Sequence, residues 1–262
     1  MGNPAQYTLD NAAEQAGTRF VNLESLFDPV TIRHIEALDL RPGAHCWEVG
    51  AGNGSIAGYL AGRVGPTGRV LATDLNPRWV AAGDPAVLEI RGHDVASDPL
   101  PDGTFDLIHA RLVIIHLTDP AAAIKRLTKA LKPGGRLLIE DFDLRQTGWV
   151  DPAHPEVGDV LNAFVALLLK NGVNASYGQN LPSLFRQLGL VEVAAEGYAA
   201  VGLGDSAVGA LNRANIEQTR AGLVASGLVT DEEIERFYEQ LADPDLVVQM
   251  PVLISATGTR PS

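Results

Sequence analysis

Between residues 45 and 141, short apolar runs alternate with helical or Gly/Pro-rich connections. Runs at 45–49, 69–74, 88–91, 105–110 and 136–141 are predicted strands, and their alternation with helices implies βαβ units in a mainly parallel sheet. The clearest connecting helix spans 120–131, capped by Asp119, with Pro120 suited to its first turn. Lys132-Pro133-Gly134-Gly135 then stops that helix and turns the chain into the next strand. Helical segments are predicted at 10–16 and 29–38. After the strand-rich region, Leu161, Phe164, Val165, Leu168 and Leu169 recur at helical spacing. A further helix follows at 181–188, then a strand at 191–201. Residues 206–242 are helical, with Thr230-Asp231-Glu232-Glu233 as a capping-box start. The last strand is 252–259. Pro251 cannot donate a ladder hydrogen bond and belongs at that strand's edge or beginning.

A chain of 262 residues is near the upper limit for one compact domain, so the expectation is a single domain over 1–262. Within it, 1–40 form an N-terminal helical cap, 41–150 the core, and 151–262 a helical region carrying the last two strands. Hydrophobic residues make up 46% and charged residues 20%, as in a globular protein with a real core. The formal net charge of -12 repels phosphate backbones, which argues against a nucleic-acid partner. A protonated amine or a sulfonium suits this field better. Cys46, the single cysteine, excludes an internal disulfide and a multi-cysteine metal site, and no metal is expected. The start, MGNPAQYTLDN, has no basic n-region or apolar h-region, and Gln6 stands where a myristoylation signal has Ser or Thr. The apolar stretch 160–169 contains Asn162 and is too short to span a bilayer. The expected location is cytoplasmic, away from membranes; nothing in the sequence bears on oligomeric state.

Candidate chemistry begins at Cys46-Trp47-Glu48-Val49-Gly50-Ala51-Gly52-Asn53-Gly54-Ser55. A strand ends near an acid, and a glycine-rich turn opens a helix. Glycine lets the backbone turn tightly and lets a ligand lie against it, although any tight strand-to-helix connection also uses glycine. The next strand ends at Asp74, about 20 residues beyond Gly54, where a carboxylate can accept both hydroxyls of a ribose. Asp94, within Gly92-His93-Asp94-Val95, can take the amino edge of adenine beside a backbone N–H. Each acid taken alone equally fits a turn or a helix cap. Three such elements in order, at successive strand ends, point to one nucleoside-bearing ligand.

These residues resemble class I S-adenosylmethionine methyltransferases, and the resemblance runs through nearly the whole chain. It implies an α/β, Rossmann-like three-layer sandwich with a seven-stranded, mostly parallel sheet whose last strand is antiparallel. N-terminal helices and a helical insertion before the last strand complete it. Glu48–Gly54 is similar to the family's first motif, Asp74 to its ribose-binding acid and Asp94 to its adenine-side acid. Phe105-Asp106-Leu107-Ile108-His109-Ala110-Arg111 is similar to the fourth-strand motif, and Leu131–Leu137 to the turn into the fifth strand. The implied S-adenosylmethionine contacts are Glu48, Gly50, Ala51, Gly52, Asp74, Leu75, His93, Asp94, Val95, Ala110 and Arg111. Leu117-Thr118-Asp119-Pro120 is similar to the branch holding ubiquinone and menaquinone C-methyltransferases and many natural-product enzymes. A nicotinamide dehydrogenase is the competing reading. Its third fingerprint glycine would fall on Ser55, and Glu48 beside the turn suits a cationic cofactor better than a pyrophosphate.

Methyl transfer from a sulfonium is an in-line displacement, so the protein must align nucleophile and cofactor and exclude water. A base is needed only where an O–H or N–H must lose its proton. His116, just past the fourth strand, is the candidate base; packing in a short helix with Ile114, Ile115 and Leu117 is the alternative. His109 fits a structural role in an apolar strand. Arg111 fits either the cofactor carboxylate or a salt bridge, and Asp141 and Asp143 either a substrate amine or a solvated loop. Tyr7, Arg19, Trp149, Tyr177 and Arg213 are candidates for a lid over the substrate. The expected partner is a small-molecule methyl acceptor. A peptide or protein substrate, and a non-methylating protein that keeps the cofactor, are the other readings.

Overall fold

The computed structural model describes residues 16–145 and 150–262, which form two compact units. The predicted segment 10–16 therefore lies outside the described residues except for Ala16, as do Tyr7 and Trp149. In chain order the strands are β1 (His45–Val49), β2 (Arg69–Asp74), β3 (Leu88–Gly92), β4 (Phe105–Arg111), β5 (Leu131–Asp143), β6 (Val191–Tyr198), β7 (Val201–Leu203), β8 (Val247–Gln249) and β9 (Val252–Thr259). The helices are α1 (Ala16–Ala37), α2 (Ser55–Val64), α3 (Pro120–Ala130), α4 (Pro155–Lys170), α5 (Tyr177–Gln187), α6 (Ala207–Ala225) and α7 (Asp231–Gln240).

The first unit, Phe27–Phe142, Tyr177–Gly197 and Ile254–Ser262, is built on a seven-stranded sheet in the order β3-β2-β1-β4-β5-β9-β6. The pairs β1–β2, β2–β3, β1–β4 and β4–β5 are parallel. Gly134 N donates to Arg260 O (2.8 Å) and Arg260 N to Gly135 O (2.9 Å), which joins the start of β5 to the end of β9 and makes β9 antiparallel. This is the Rossmann-like α/β arrangement with an antiparallel last strand. Pro251 precedes β9, so a central strand is spared a missing donor. Ile35 of α1 and Ile56, Leu60 and Val64 of α2 pack with Cys46, Val70, Leu107 and Leu138 of the sheet.

Several element boundaries differ from the sequence pattern: α5 starts at Tyr177 rather than 181, the helical stretch 206–242 divides into α6 and α7, and β8 is additional. Helix α1 runs through Pro29, where the pattern starts a new helix. A proline there removes one backbone donor, but Phe27, Val30, Thr31 and Ile35 are buried along one continuous stripe. Burying those side chains outweighs the roughly 3 kcal/mol of an internal proline. Strand β5 begins at Leu131, five residues early, because Leu131 pairs with Phe105 across an irregularity in β4. The predicted strand 191–201 is two strands in two sheets: β6 ends at Tyr198, and β7 pairs antiparallel with β8. Apolar runs reveal extended backbone but not which ladder it joins.

The second unit comprises residues 16–26, the described part of Asp143–Ser176, and Tyr198–Leu253. Its helices α4, α6 and α7 pack on one another beside the β7–β8 ribbon. The capping box at Thr230 forms, with Glu233 N donating to Thr230 Oγ1 (3.2 Å) and Thr230 N to Glu233 Oε2 (2.7 Å). Among the described residues no helix is long and apolar enough to cross a membrane.

Candidate functional site

Parallel strands deliver their carboxyl ends to one edge of the sheet, so residues far apart in sequence meet there. Gly50, Gly52 and Gly54 all adopt positive φ in the turn after β1. A Cβ on Gly50 would lie 2.1 Å from Val113 Cγ2, so the turn runs tight against the segment after β4. Ala51 N donates to Thr73 O (2.9 Å) and Gly52 N to Asp74 Oδ2 (3.2 Å), which ties the turn to the end of β2. Asp74 is buried, and its Oδ1 accepts from Asn76 N (3.0 Å). Leu75 beside it is 73% exposed, an uncovered apolar surface next to a buried acid. His93 N donates to Asp74 O (3.0 Å), and the His93 ring meets Trp47 edge-on at 5.5 Å. Asp94 accepts from Ala96 N (2.8 Å) and Ser97 Oγ (2.8 Å), with Val95 buried behind it. Ala110 is fully buried in β4. The structure thus gathers Glu48, Gly50–Gly52, Asp74, Leu75, His93–Val95, Ala110 and Arg111 at adjacent strand ends.

Beneath the turn lies a chain of buried charges. Glu48 and His109 are register partners on β1 and β4, and alternation places Glu140 of β5 on the same face. His109 Nδ1 is 2.6 Å from Glu48 Oε2, and its Nε2 is 3.3 Å from Glu140 Oε2. Glu140 Oε1 also accepts from Ser255 Oγ (2.6 Å) and lies 3.0 Å from His34 Nδ1, while Thr31 donates to Oε2. His34 Nε2 reaches Glu196 at 3.5 Å, where Arg33 pairs at the surface. Burial alone would push His109 down, but Glu48 and the hydrogen bonds to both carboxylates raise it to about 9. Burial pushes Glu140 up, yet the hydrogen bonds with His109 and His34 hold it well below the usual carboxylate range. For Glu48 burial wins over His109 and leaves its carboxyl raised.

The pH dependence of stability follows from these directions. A histidine raised on folding stabilises fully below its unfolded value, near 6.5, and loses that contribution as pH rises toward about 9. The urea midpoint should therefore fall between pH 6.5 and 9, and His109→Gln should flatten that fall as well as lower the midpoint at pH 6.5. An equally steep decline in the variant would place its origin elsewhere.

Sequence reasoning missed this relay. Its available signal was polar His109 and Glu140 at positions where strand alternation points toward the core; Thr31, His34 and Ser255 join it only through tertiary packing. Arg111 donates to Thr31 Oγ1 (2.8 Å) and Asp28 Oδ1 (2.7 Å), a salt bridge to a helix acid. His116 ends the 3-10 turn Ile114–His116 past β4 and is half-buried. Ile115 N in that turn donates to Asp141 Oδ2 (3.2 Å), fixing it against β5. Asp141 and Asp143 are both buried, and Asp143 pairs with Arg145 (3.1 Å). Tyr177 is buried at the start of α5. In the second unit Arg19 stacks on Phe20 (4.9 Å), and Arg213 lies 4.1 Å from the ring of Tyr238.

Residues 47–139 match a family model described as a methyltransferase domain. A ubiquinone/menaquinone biosynthesis C-methyltransferase of Saccharophagus degradans is 32% identical over 128 residues, 46% of this chain and 51% of that protein. The chain spans a third to about half the length of the first curated relatives it matches. Among solved structures, the YcgJ protein of Bacillus subtilis superposes with a TM-score of 0.59 at 17% identity, covering 87% of this chain and 97% of that one. A Haemonchus contortus phosphoethanolamine N-methyltransferase, solved with phosphomonomethylethanolamine and S-adenosylhomocysteine, superposes at 0.54 with 15% identity, covering 93% and 52%. These two likenesses concern the fold.

Proposed function

We propose that this protein, whose residues 47–139 match a methyltransferase-domain model, belongs to the class I S-adenosylmethionine-dependent methyltransferases and transfers a methyl group from that cofactor to a small molecule. The observation that carries the reading is the set of acids at successive strand ends around a turn whose Gly50 has no room for a Cβ.

The residues suit the cofactor. Each Asp74 oxygen accepts one backbone N–H, which leaves lone pairs for the two ribose hydroxyls. Exposed Leu75 offers a face to the adenine, and Asp94 with the Val95 N–H its polar edge. Glu48 with Gly50, Ala51 and Gly52 brings negative charge and bare backbone to the ammonium and sulfonium end. Ala110 leaves room there, and Arg111, with two of five donors committed to α1, keeps others for the carboxylate. When bound, the cofactor supplies an activated methyl group and its leaving group together. The chain's task is to align the acceptor and exclude water. His116 takes the acceptor's proton where an O–H or N–H attacks.

The net charge of -12 and the small-molecule methyltransferases among the relatives support a small acceptor. Calorimetry should show S-adenosylmethionine and S-adenosylhomocysteine binding and NADH silent. Incubation with methyl-labelled cofactor and cell extract should put label in the low-molecular-weight fraction. NADH binding without either sulfur ligand would overturn the cofactor assignment; label confined to protein would overturn the substrate class.

A further inference from the structure

On the sheet face opposite the buried relay, two buried oxygens lack partners. Asp141 is fully buried; its Oδ2 accepts from Ile115 N (3.2 Å), while its Oδ1 has no hydrogen-bond partner among the described residues. Tyr177, 6% exposed, likewise carries an unpartnered hydroxyl. Buried polar atoms are almost always satisfied, so two such atoms on packed elements call for a reason. Gly178 sets the backbone at the start of α5 directly on that of β5: a Cβ there would lie 2.5 Å from the carbonyl oxygen of Asp141 and 3.0 Å from that of Phe142. Only a glycine lets the first turn of α5 ride this closely on the β5 backbone. The same 3-10 turn that binds Asp141 through Ile115 ends in His116.

We infer that Asp141 and Tyr177 form a donor pair for an oxygen atom of the methyl acceptor, a phenol, enol or ketone oxygen rather than an amine, beside His116. This rests on the methyltransferase reading above and names the substrate class for it. The Ile115 amide occupies Oδ2, so a proton on Asp141 falls to Oδ1. Burial pushes the Asp141 carboxyl well above its ordinary range against the Ile115 and Ile114 amides, and the Glu140 charge adds to the push. Burial foremost pushes the Tyr177 phenol up as well, so both groups present O–H. Two O–H donors match an oxygen with two lone pairs; an ammonium group brings further hydrogens and no lone pair. Neither oxygen meets solvent, so the first turn of α5 must yield when a ligand enters, and water is excluded once it closes.

Fluorine NMR on the full chain saturated with S-adenosylhomocysteine tests this, with 4-fluorophenol and 4-fluorobenzylamine as probes. We expect saturable 4-fluorophenol binding, weakened at least about tenfold by Tyr177→Phe, which removes a single oxygen atom. Asp141→Asn, which keeps an N–H donor, should retain binding and Asp141→Leu should lose it; if the leucine variant does not fold, Tyr177→Phe decides alone. Equal 4-fluorophenol affinity in folded Tyr177→Phe, as expected if the two oxygens hold only a water molecule, overturns the pair. So does tighter, Tyr177-dependent binding of 4-fluorobenzylamine. S-Adenosylhomocysteine affinity measured in parallel separates the two readings. Its absence beside Tyr177-dependent 4-fluorophenol binding defeats the methyltransferase reading and spares the donor pair; its presence beside indifference to Tyr177 does the reverse.

Discussion

Replacing His116 with alanine should lower turnover by roughly 10²–10⁴-fold, with cofactor affinity nearly unchanged, if the acceptor loses an O–H or N–H proton. The parent's rate should rise with pH through the imidazole range, about 6.5 before local shifts, and the variant's should not. The residue has the right place, since it ends the turn leaving β4 and that turn is pinned to Asp141. A packing role predicts something different: lower stability, with normal turnover in the folded fraction. A pH-independent rate together with full activity in folded His116→Ala would rule out the base. C-methylation of an already anionic carbon would also leave the rate indifferent to His116, so the result bears on the chemistry of the acceptor.

Asp74→Ala is expected to weaken S-adenosylhomocysteine binding by about 1.5–3 kcal/mol, or roughly 10–150-fold, because a carboxylate bonded to hydroxyls makes charge-assisted hydrogen bonds. Here the side chain does two jobs. It holds Gly52 N and Asn76 N, so its removal also loosens the glycine turn. Asp74→Asn can still accept one of these backbone bonds while losing the negative charge, and should fall between the parent and the alanine variant. Calorimetry on variants with unchanged circular dichroism is the measurement. Unchanged affinity in folded Asp74→Ala would reduce the acid to a turn residue.

The pairing of His109 with Glu48 bears on both experiments. Glu48, two residues before Gly50, pairs with the buried His109 ring, which makes it one end of a relay reaching Glu196 near the surface. Changes made anywhere along that relay alter the field beneath the turn, and effects of paired substitutions there should not add.

Strands β1 to β4, the glycine turn and the acids after it are all legible in the order of residues. These are local matters: an apolar run of strand length, glycines where φ must be positive, and a carboxylate at a strand's end. The capping box at Thr230 is equally legible there, since capping depends on residues three apart. The remaining features depend on contacts between distant parts of the chain. That α1 continues through Pro29 depends on a buried stripe whose partners lie elsewhere in the chain. That 191–201 divides between two sheets depends on which ladders stand beside it. His109 illustrates the boundary most clearly. Its neighbours in sequence mark a buried strand position, but the carboxylates that charge it come from residues 48 and 140. Local rules place a side chain on a face; only packing decides what that face meets, and electrostatic energy between buried groups depends on that meeting.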